Sequence, residues 1–259
     1  GRVSTKSQGR LVMISVVMAY HKRPDHLKNT IESYQHFYKN LDYELVVIED
    51  TPSDAGKECA KVLERSGLKY KHVVVDRGHK EYRNPGVLYN QGVELADGEY
   101  IHLTNPENLH CGPILTHCLD HITSDNYIVY GCRTLRLLPV SFEHALANID
   151  GMTNWDEAWG WYQHSVIYNR LLHFAAVISK ELYIKIGGFD PRFDDGVGFE
   201  DNDFIRRIKQ LNIPVLTFDE PFAAHQSHER GHWANNGHTI NQQVYQEIWQ
   251  ESTIEHWRN

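Results

Sequence analysis

Short apolar runs rich in β-branched residues alternate with amphipathic stretches through the first hundred residues. The run at 12–18 is the first, and 43–48, 70–75 and 100–103 repeat it; each has the length of a buried strand. Between them the spacing turns helical. The stretch 24–39 opens on Pro24, suited to the first turn of a helix, and sets Leu27, Ile31 and Tyr34 along one side. The stretch 53–66 carries Ala60, Val62 and Leu63 inward and stops at Gly67; 86–96 is closed by Gly98. Such alternation predicts an α/β fold, a Rossmann-like and mostly parallel central sheet flanked by helices.

The second half is less regular. Helices are predicted over 114–122, 180–186 and 200–211, the last with Phe204, Ile205, Ile208 and Leu211 on one face. Strands are predicted over 127–130, 134–138, 175–178 and 213–218, while 141–163 is rich in Trp, Asp and Asn and is left without an element. A tail from residue 220 holds a histidine-rich loop and then a helix over 240–251. Four blocks result: a flexible leader over 1–11, a first half over 12–110, a second over 111–219, and the tail over 220–259, together one domain. In sheets of this kind ligands sit beyond the carboxyl ends of the strands, which directs attention to the loops 20–23, 49–53 and 104–110.

Composition narrows the classes. The 259 residues are 41% apolar, enough for a real core, and carry a formal charge of -8, which argues against a protein that wraps nucleic acid. No run approaches the ~18–20 apolar residues of a membrane span. The leader is polar and basic and does not read as a signal peptide. Cys59, Cys111, Cys118 and Cys132 lack C-x-x-C spacing, so reduced thiols and a cytoplasmic setting are expected. Neither a G-x-G-x-x-G fingerprint nor a P-loop follows the first strand. Histidine is unusually frequent, 17 in all, with four between His225 and His238.

The densest chemistry lies at Gly187-Gly188-Phe189-Asp190, followed by Gly196-Val197-Gly198-Phe199-Glu200-Asp201-Asn202-Asp203. Glycines permit tight turns and close backbone approach to a ligand, and three acids then open a helix. The helix dipole alone would favour acids there. The segment resembles the GGFD…G-x-G-x-E-D-x-D region of inverting GT-A glycosyltransferases, family 2 enzymes and β-1,4-galactosyltransferases. The resemblance implies a GT-A fold with a smaller acceptor-side region. It also implies that Asp201 is the general base that deprotonates an acceptor hydroxyl, that Glu200 holds the acceptor, and that Gly198 lies beside it.

The first half carries the same resemblance. The segment from Ile14 to Pro24 is similar to the opening strand and loop that surround the nucleotide base, which implies nucleotide contacts from Ala19, Tyr20, His21 and Arg23. Val46-Val47-Ile48-Glu49-Asp50 is similar to the second strand, whose terminal acid accepts from base or ribose; capping of the next helix is the other reading of Asp50. Asn90, within Pro85–Gly92, is expected to face the nucleotide. Where the family carries Asp-x-Asp for Mn²⁺ or Mg²⁺, this chain has Asn105-Pro106-Glu107, a variant similar to that of bacterial or viral polysaccharide transferases. The implied metal ligands are Glu107, with Asn105 as a weaker one, and His225 or His228, and imidazole suits Mn²⁺ better than Mg²⁺; Asn105 is also placed with the nucleotide. Trp161 and His164 are candidates for stacking on a sugar, and Arg170 for offsetting diphosphate charge.

Residues 12–110 are then the nucleotide-binding half and 111–219 the acceptor-binding and catalytic half. The expected activity is metal-dependent, inverting transfer of a sugar from a nucleoside-diphosphate sugar, UDP by default, to a glycan or glycoconjugate hydroxyl, as in polysaccharide biosynthesis. Two alternatives stand beside it. One is a nucleotidyltransferase on a similar framework, disfavoured because the loop at Tyr20–Pro24 lacks glycines. The other is a non-catalytic carbohydrate- or nucleotide-binding relative, supported by the missing Asp-x-Asp alone.

Overall fold

A computed structural model describes residues 6–7, 10–50, 56–78, 80–153, 160–228 and 235–258. The expected elements of the first half all form: strand β1 (Ile14–Tyr20), helix α1 (Pro24–Phe37), β2 (Tyr43–Asp50), α2 (Gly56–Ser66), β3 (Tyr70–Val75), α3 (Gly86–Leu95) and β4 (Tyr100–Thr104). The predicted start of α2 at 53–55 lies outside the described residues. There follow β5 (Asn108–His110), α4 (Ile114–Cys118), β6 (Tyr127–Thr134), α5 (Phe142–Met152), β7 (Trp161–Gln163), β8 (Ala176–Ser179), α6 (Lys180–Ile186), α7 (Glu200–Gln210), β9 (Val215–His225) and α8 (Asn235–Arg258). Near the start, Lys6–Ser7 pairs antiparallel with Arg10–Leu11.

The nine strands β1–β9 form one sheet in the order β3-β2-β1-β4-β8-β6-β9-β5, with β7 on β6. The first four run parallel, and β9 runs parallel to β6. The chain leaves β1 toward β2 on one side and places β4 on the other, which makes the topological switch point at which α/β sheets bind ligands. Period-two alternation divides β1 between two cores. Ile14, Val16 and Met18 pack with Leu27 and Ile31 of α1 and with Leu63 of α2, whereas Val17 packs with Leu88 and Val93 of α3. Gly92 lets α3 lie close on β1, because a Cβ there would collide with Val17.

Three differences from the sequence pattern stand out. The strand expected over 134–138 is absent: β6 ends at Thr134, the next backbone amide, Leu135, bonds to His225, and Leu137 and Leu138 are exposed ahead of Pro139. The unassigned 141–163 stretch contains α5, started by Ser141, whose hydroxyl accepts from the His144 amide. The strand expected to stop at residue 218 runs on to His225, shifting register between Phe218 and Ala223, and reaches β5.

The Gly187-Gly188 turn is set by α3. Asn90 donates to the Phe189 carbonyl at 2.8 Å and accepts from the Phe189 amide at 2.8 Å and from the Tyr183 hydroxyl at 2.7 Å. Gly188 has φ +63°, and a Cβ on it would stand 2.5 Å from the Asn90 amide oxygen. Replacing Asn90 with Ala leaves these partners without their bonds, an expected loss of about 3 kcal/mol and of roughly 6–12 °C in Tm, measured by thermal unfolding.

Candidate active site

Beyond the carboxyl ends of β1, β2 and β4 lies a cavity of about 270 Å³. Ala19, Tyr20, His21 and Arg23 line it from the loop after β1, Asp50 from the end of β2, and Asn105, Pro106 and Glu107 from the turn after β4. Glu200 and Asp201 line it from the mouth of α7. Nine of the residues singled out in the sequence are therefore gathered around one space. Asn90, Gly198, Trp161, His164, Arg170, His225 and His228 are not among its lining residues.

The acids are arranged by neighbours that carry no sequence motif. Asp50 is 1% exposed and takes an ion pair from Arg77 at 2.5 Å and another from Arg83. Arg77 continues to Asp194, as does Lys80, so the loop after β3 ties β2 to the turn ahead of α7. Asn84 of the same loop donates to Glu200 at 2.6 Å while its oxygen accepts from the Gly86 amide. Arg77, Arg83, Tyr89, His173 and Phe174 also line the cavity, and the sequence did not single them out for it. His21 holds the Asp50 carbonyl at 2.5 Å, and burial lowers its pKa. Burial lowers His173 to about 4, so it is a neutral ring at pH 7.

The mouth of α7 separates its three acids. Phe199 adopts φ +68° ahead of the helix and provides no side-chain cap. Asp203 turns back to Arg206 at 2.6 Å and Arg207 at 2.8 Å. Glu200 and Asp201 remain toward the cavity. Burial, and then the charge of Asp201, raises Glu200 well above the ordinary carboxylate range. Burial raises Asp201 as well, against the Asn202 amide that it accepts and the charge of Arg170, both of which favour its ionised form. Two such carboxyls cannot both ionise cheaply, and the Asn202 amide and Arg170 favour charge on Asp201 while Asn84 gives Glu200 no countercharge.

The turn after β4 is tied to α1 through Gln226, which is fully buried. Its amide donates to the His26 carbonyl at 3.1 Å and to Thr30 at 3.2 Å, and its oxygen accepts from Asn29 at 2.9 Å. Thr30 donates to the Pro106 carbonyl at 2.7 Å, and the Gln226 amide N–H to the Glu107 carbonyl at 2.8 Å. The oxygen donors of this turn fit a hard divalent cation: Asn105 Oδ1 is buried with no hydrogen-bond partner, and the Glu107 carboxylate lines the same cavity. Arg23 is ion-paired with Glu107, standing where a cation would. The rings of His225 and His228 lie 5.2 Å apart, with His225 against Tyr162 and its backbone paired with Asn108 beside Glu107. Among the described residues, a cluster of three groups able to ligate a metal is formed by Glu49, Cys59 and His72, on the α1–α2 face of the sheet.

The remaining candidates have other surroundings. Trp161 lies under the Arg133 guanidinium at 4.4 Å and beside His164, whose ring is near Asp219. Gly198 gives its carbonyl to Asn241 of α8 at 2.7 Å. Arg170 stands outside the cavity with Tyr168. All four cysteines are free thiols.

A pH test follows from the acid pair. Folding protonates Glu200 between its ordinary value of 4.5 and about 8, so its contribution to stability is fully present below 4.5 and is lost as pH rises through that window. Glu200→Gln keeps the acceptor for Asn84 and removes the titration. Its Tm is expected to gain steadily on the native chain between pH 5 and 8; a difference that does not change with pH would show Glu200 charged throughout.

Comparison with known proteins agrees with this fold. Residues 15–177 match the model of Glycosyl transferase family 2. TarS 1–349 from S. aureus, solved with UDP-GlcNAc, has a TM-score of 0.61 at 14% identity, covering 86% of this chain and 61% of that one. Mannosyltransferase PcManGT from Pyrobaculum calidifontis, solved with GDP-Man and Mn2+, has a TM-score of 0.55 at 15% identity, covering 85% of this chain and 58% of that one. Both likenesses are of fold, and this chain spans under two thirds of the length of either. No curated protein matches it in sequence. No helix among the described residues is long and apolar enough to cross a membrane. With the family model matching more than half of its length, the chain belongs to glycosyl transferase family 2.

Proposed function

We propose that this protein transfers a sugar from a nucleoside-diphosphate sugar, UDP-linked by preference, to a hydroxyl of a glycan or glycoconjugate, with inversion. The observation that carries this reading is the adjacent carboxyl pair Glu200 and Asp201 on the wall of a cavity whose other side is Asp50 and the loop after β1. Residues 12–110 hold the nucleotide, with Asp50 and His21 toward base and ribose. The half over 111–219 supplies the catalytic acids.

In a single displacement Asp201 takes the proton of the acceptor hydroxyl as its oxygen attacks the anomeric carbon, and the bond from that carbon to the diphosphate breaks. Glu200, held by Asn84 and protonated, donates a hydrogen bond that fixes the acceptor. Arg23, Arg77 and Arg83 place positive charge along the cavity, where the departing diphosphate gains charge. Asn105 and Glu107 would hold a Mn²⁺ or Mg²⁺, whose contribution when bound is neutralisation of the diphosphate oxygens. The structural neighbours, one solved with UDP-GlcNAc and one with GDP-Man and Mn2+, support this donor and metal class.

Asp201→Asn is close to isosteric and cannot accept the proton. Its turnover with a competent donor and acceptor is expected to fall by about 10²–10⁴-fold with nucleotide affinity retained, measured by nucleoside-diphosphate release and by titration calorimetry. Near-normal turnover would remove Asp201 from the role of base.

A further inference from the structure

The outer face of α7 and the facing side of α8 enclose a groove of about 560 Å³, within the usual range of ligand sites. Arg170, Arg206 and Lys209 line it together with Tyr245 and Trp249, and no carboxylate does so among the described residues. In a chain of formal charge -8 this is a local reversal of sign. Trp249 is 51% exposed, a large aromatic ring in the open, with the Arg206 guanidinium 5.9 Å from its centre.

The groove begins where the catalytic cavity ends. Asn202 lines the groove and its neighbour Asp201 lines the cavity, and the charge of Arg170 acts on the Asp201 carboxyl. The aromatic wall is fixed relative to the acid pair. Asn241 of α8 donates to the carbonyls of Phe193 at 2.9 Å and Gly198 at 2.7 Å, and the Val197 amide donates to the Gly237 carbonyl at 2.9 Å. Gly196 leaves no room for a Cβ against Asn241.

We infer that the acceptor chain lies along this groove and that it is anionic, a glycan bearing carboxylate or phosphate groups; this rests on the glycosyltransferase reading above. Trp249 and Tyr245 offer flat faces to the C–H sides of sugar rings, and Arg170 and Lys209 offer charge-assisted hydrogen bonds to the anionic groups, while Arg206 stays with Asp203. A neutral glycan would use the aromatic wall and leave Arg170 and Lys209 without an anionic partner in the groove.

Titration calorimetry on the full chain with four probes tests this: an oligogalacturonate for carboxylate, a phosphorylated oligomannose for phosphate, neutral maltohexaose, and UDP with Mn²⁺. One or both anionic probes are expected to bind at least about 10-fold more tightly than maltohexaose and to weaken with added salt. Lys209→Glu and Trp249→Ala are each expected to weaken the anionic probe by about 10-fold and to leave UDP unchanged. The inference is overturned if maltohexaose binds as tightly, if Lys209→Glu changes nothing, or if UDP binds and no glycan does. If UDP also fails to bind, the glycosyltransferase reading falls with it.

Discussion

Two adjacent carboxyls buried at one helix mouth cannot both carry charge, and much of the surrounding structure is the answer to that constraint. Asn84 gives Glu200 a donor without giving it a countercharge. The Asn202 amide and Arg170 favour charge on Asp201. Asp203, the third acid of the same turn, is removed from the problem by Arg206 and Arg207. The left-handed Phe199 brings the helix mouth to the cavity, and Asn90 holds the preceding glycine turn from α3. The half over 12–110 thus sets the geometry of the acid pair in the other half.

Charge balance across the cavity has the same character. Asp50 lies between Arg77 and Arg83, and Arg77 reaches on to Asp194, so the loop after β3 spans from the sheet to the turn before α7. Breaking one partner of such a buried network leaves the other uncompensated, which costs more than the pair itself contributes. On the far side Gln226 ties α1 to the Asn105–Glu107 turn and fixes where an oxygen ligand can stand.

Most of the fold was legible because the first half follows local rules: β-branched runs, a proline at a helix start, glycines at helix ends. The second half follows them less. Residues 134–138 have an apolar strand-like composition, yet pairing with the neighbouring strand ends at Thr134 and Leu135, and Leu137 and Leu138 face water. The strand ending at His225 outran its pattern because its last residues are buried by pairing with β5, a contact 113 or more positions away that no local window holds. In the site, Glu200, Asp201, Asp50 and Glu107 were visible as acids at element ends. Arg77, Arg83 and Asn84 were not, since their partners lie between 27 and 117 positions away. The histidine-rich tail drew attention to His225 and His228, while Gln226, between them, makes the contacts to the turn that holds Glu107.

The central claim is that one cleft holds a nucleoside diphosphate between Asp50 and the Glu200–Asp201 pair. Thermal unfolding against UDP, GDP, dTDP and CMP, each with and without Mn²⁺, tests it most directly. A ligand at about a hundred times its dissociation constant adds roughly 2.7 kcal/mol to stability. In a domain of this size that raises the midpoint by about 5–11 °C. The predicted result is such a rise with one nucleoside diphosphate, UDP first, made larger by Mn²⁺ and absent with CMP. No rise with any nucleotide, with or without the metal, would contradict it.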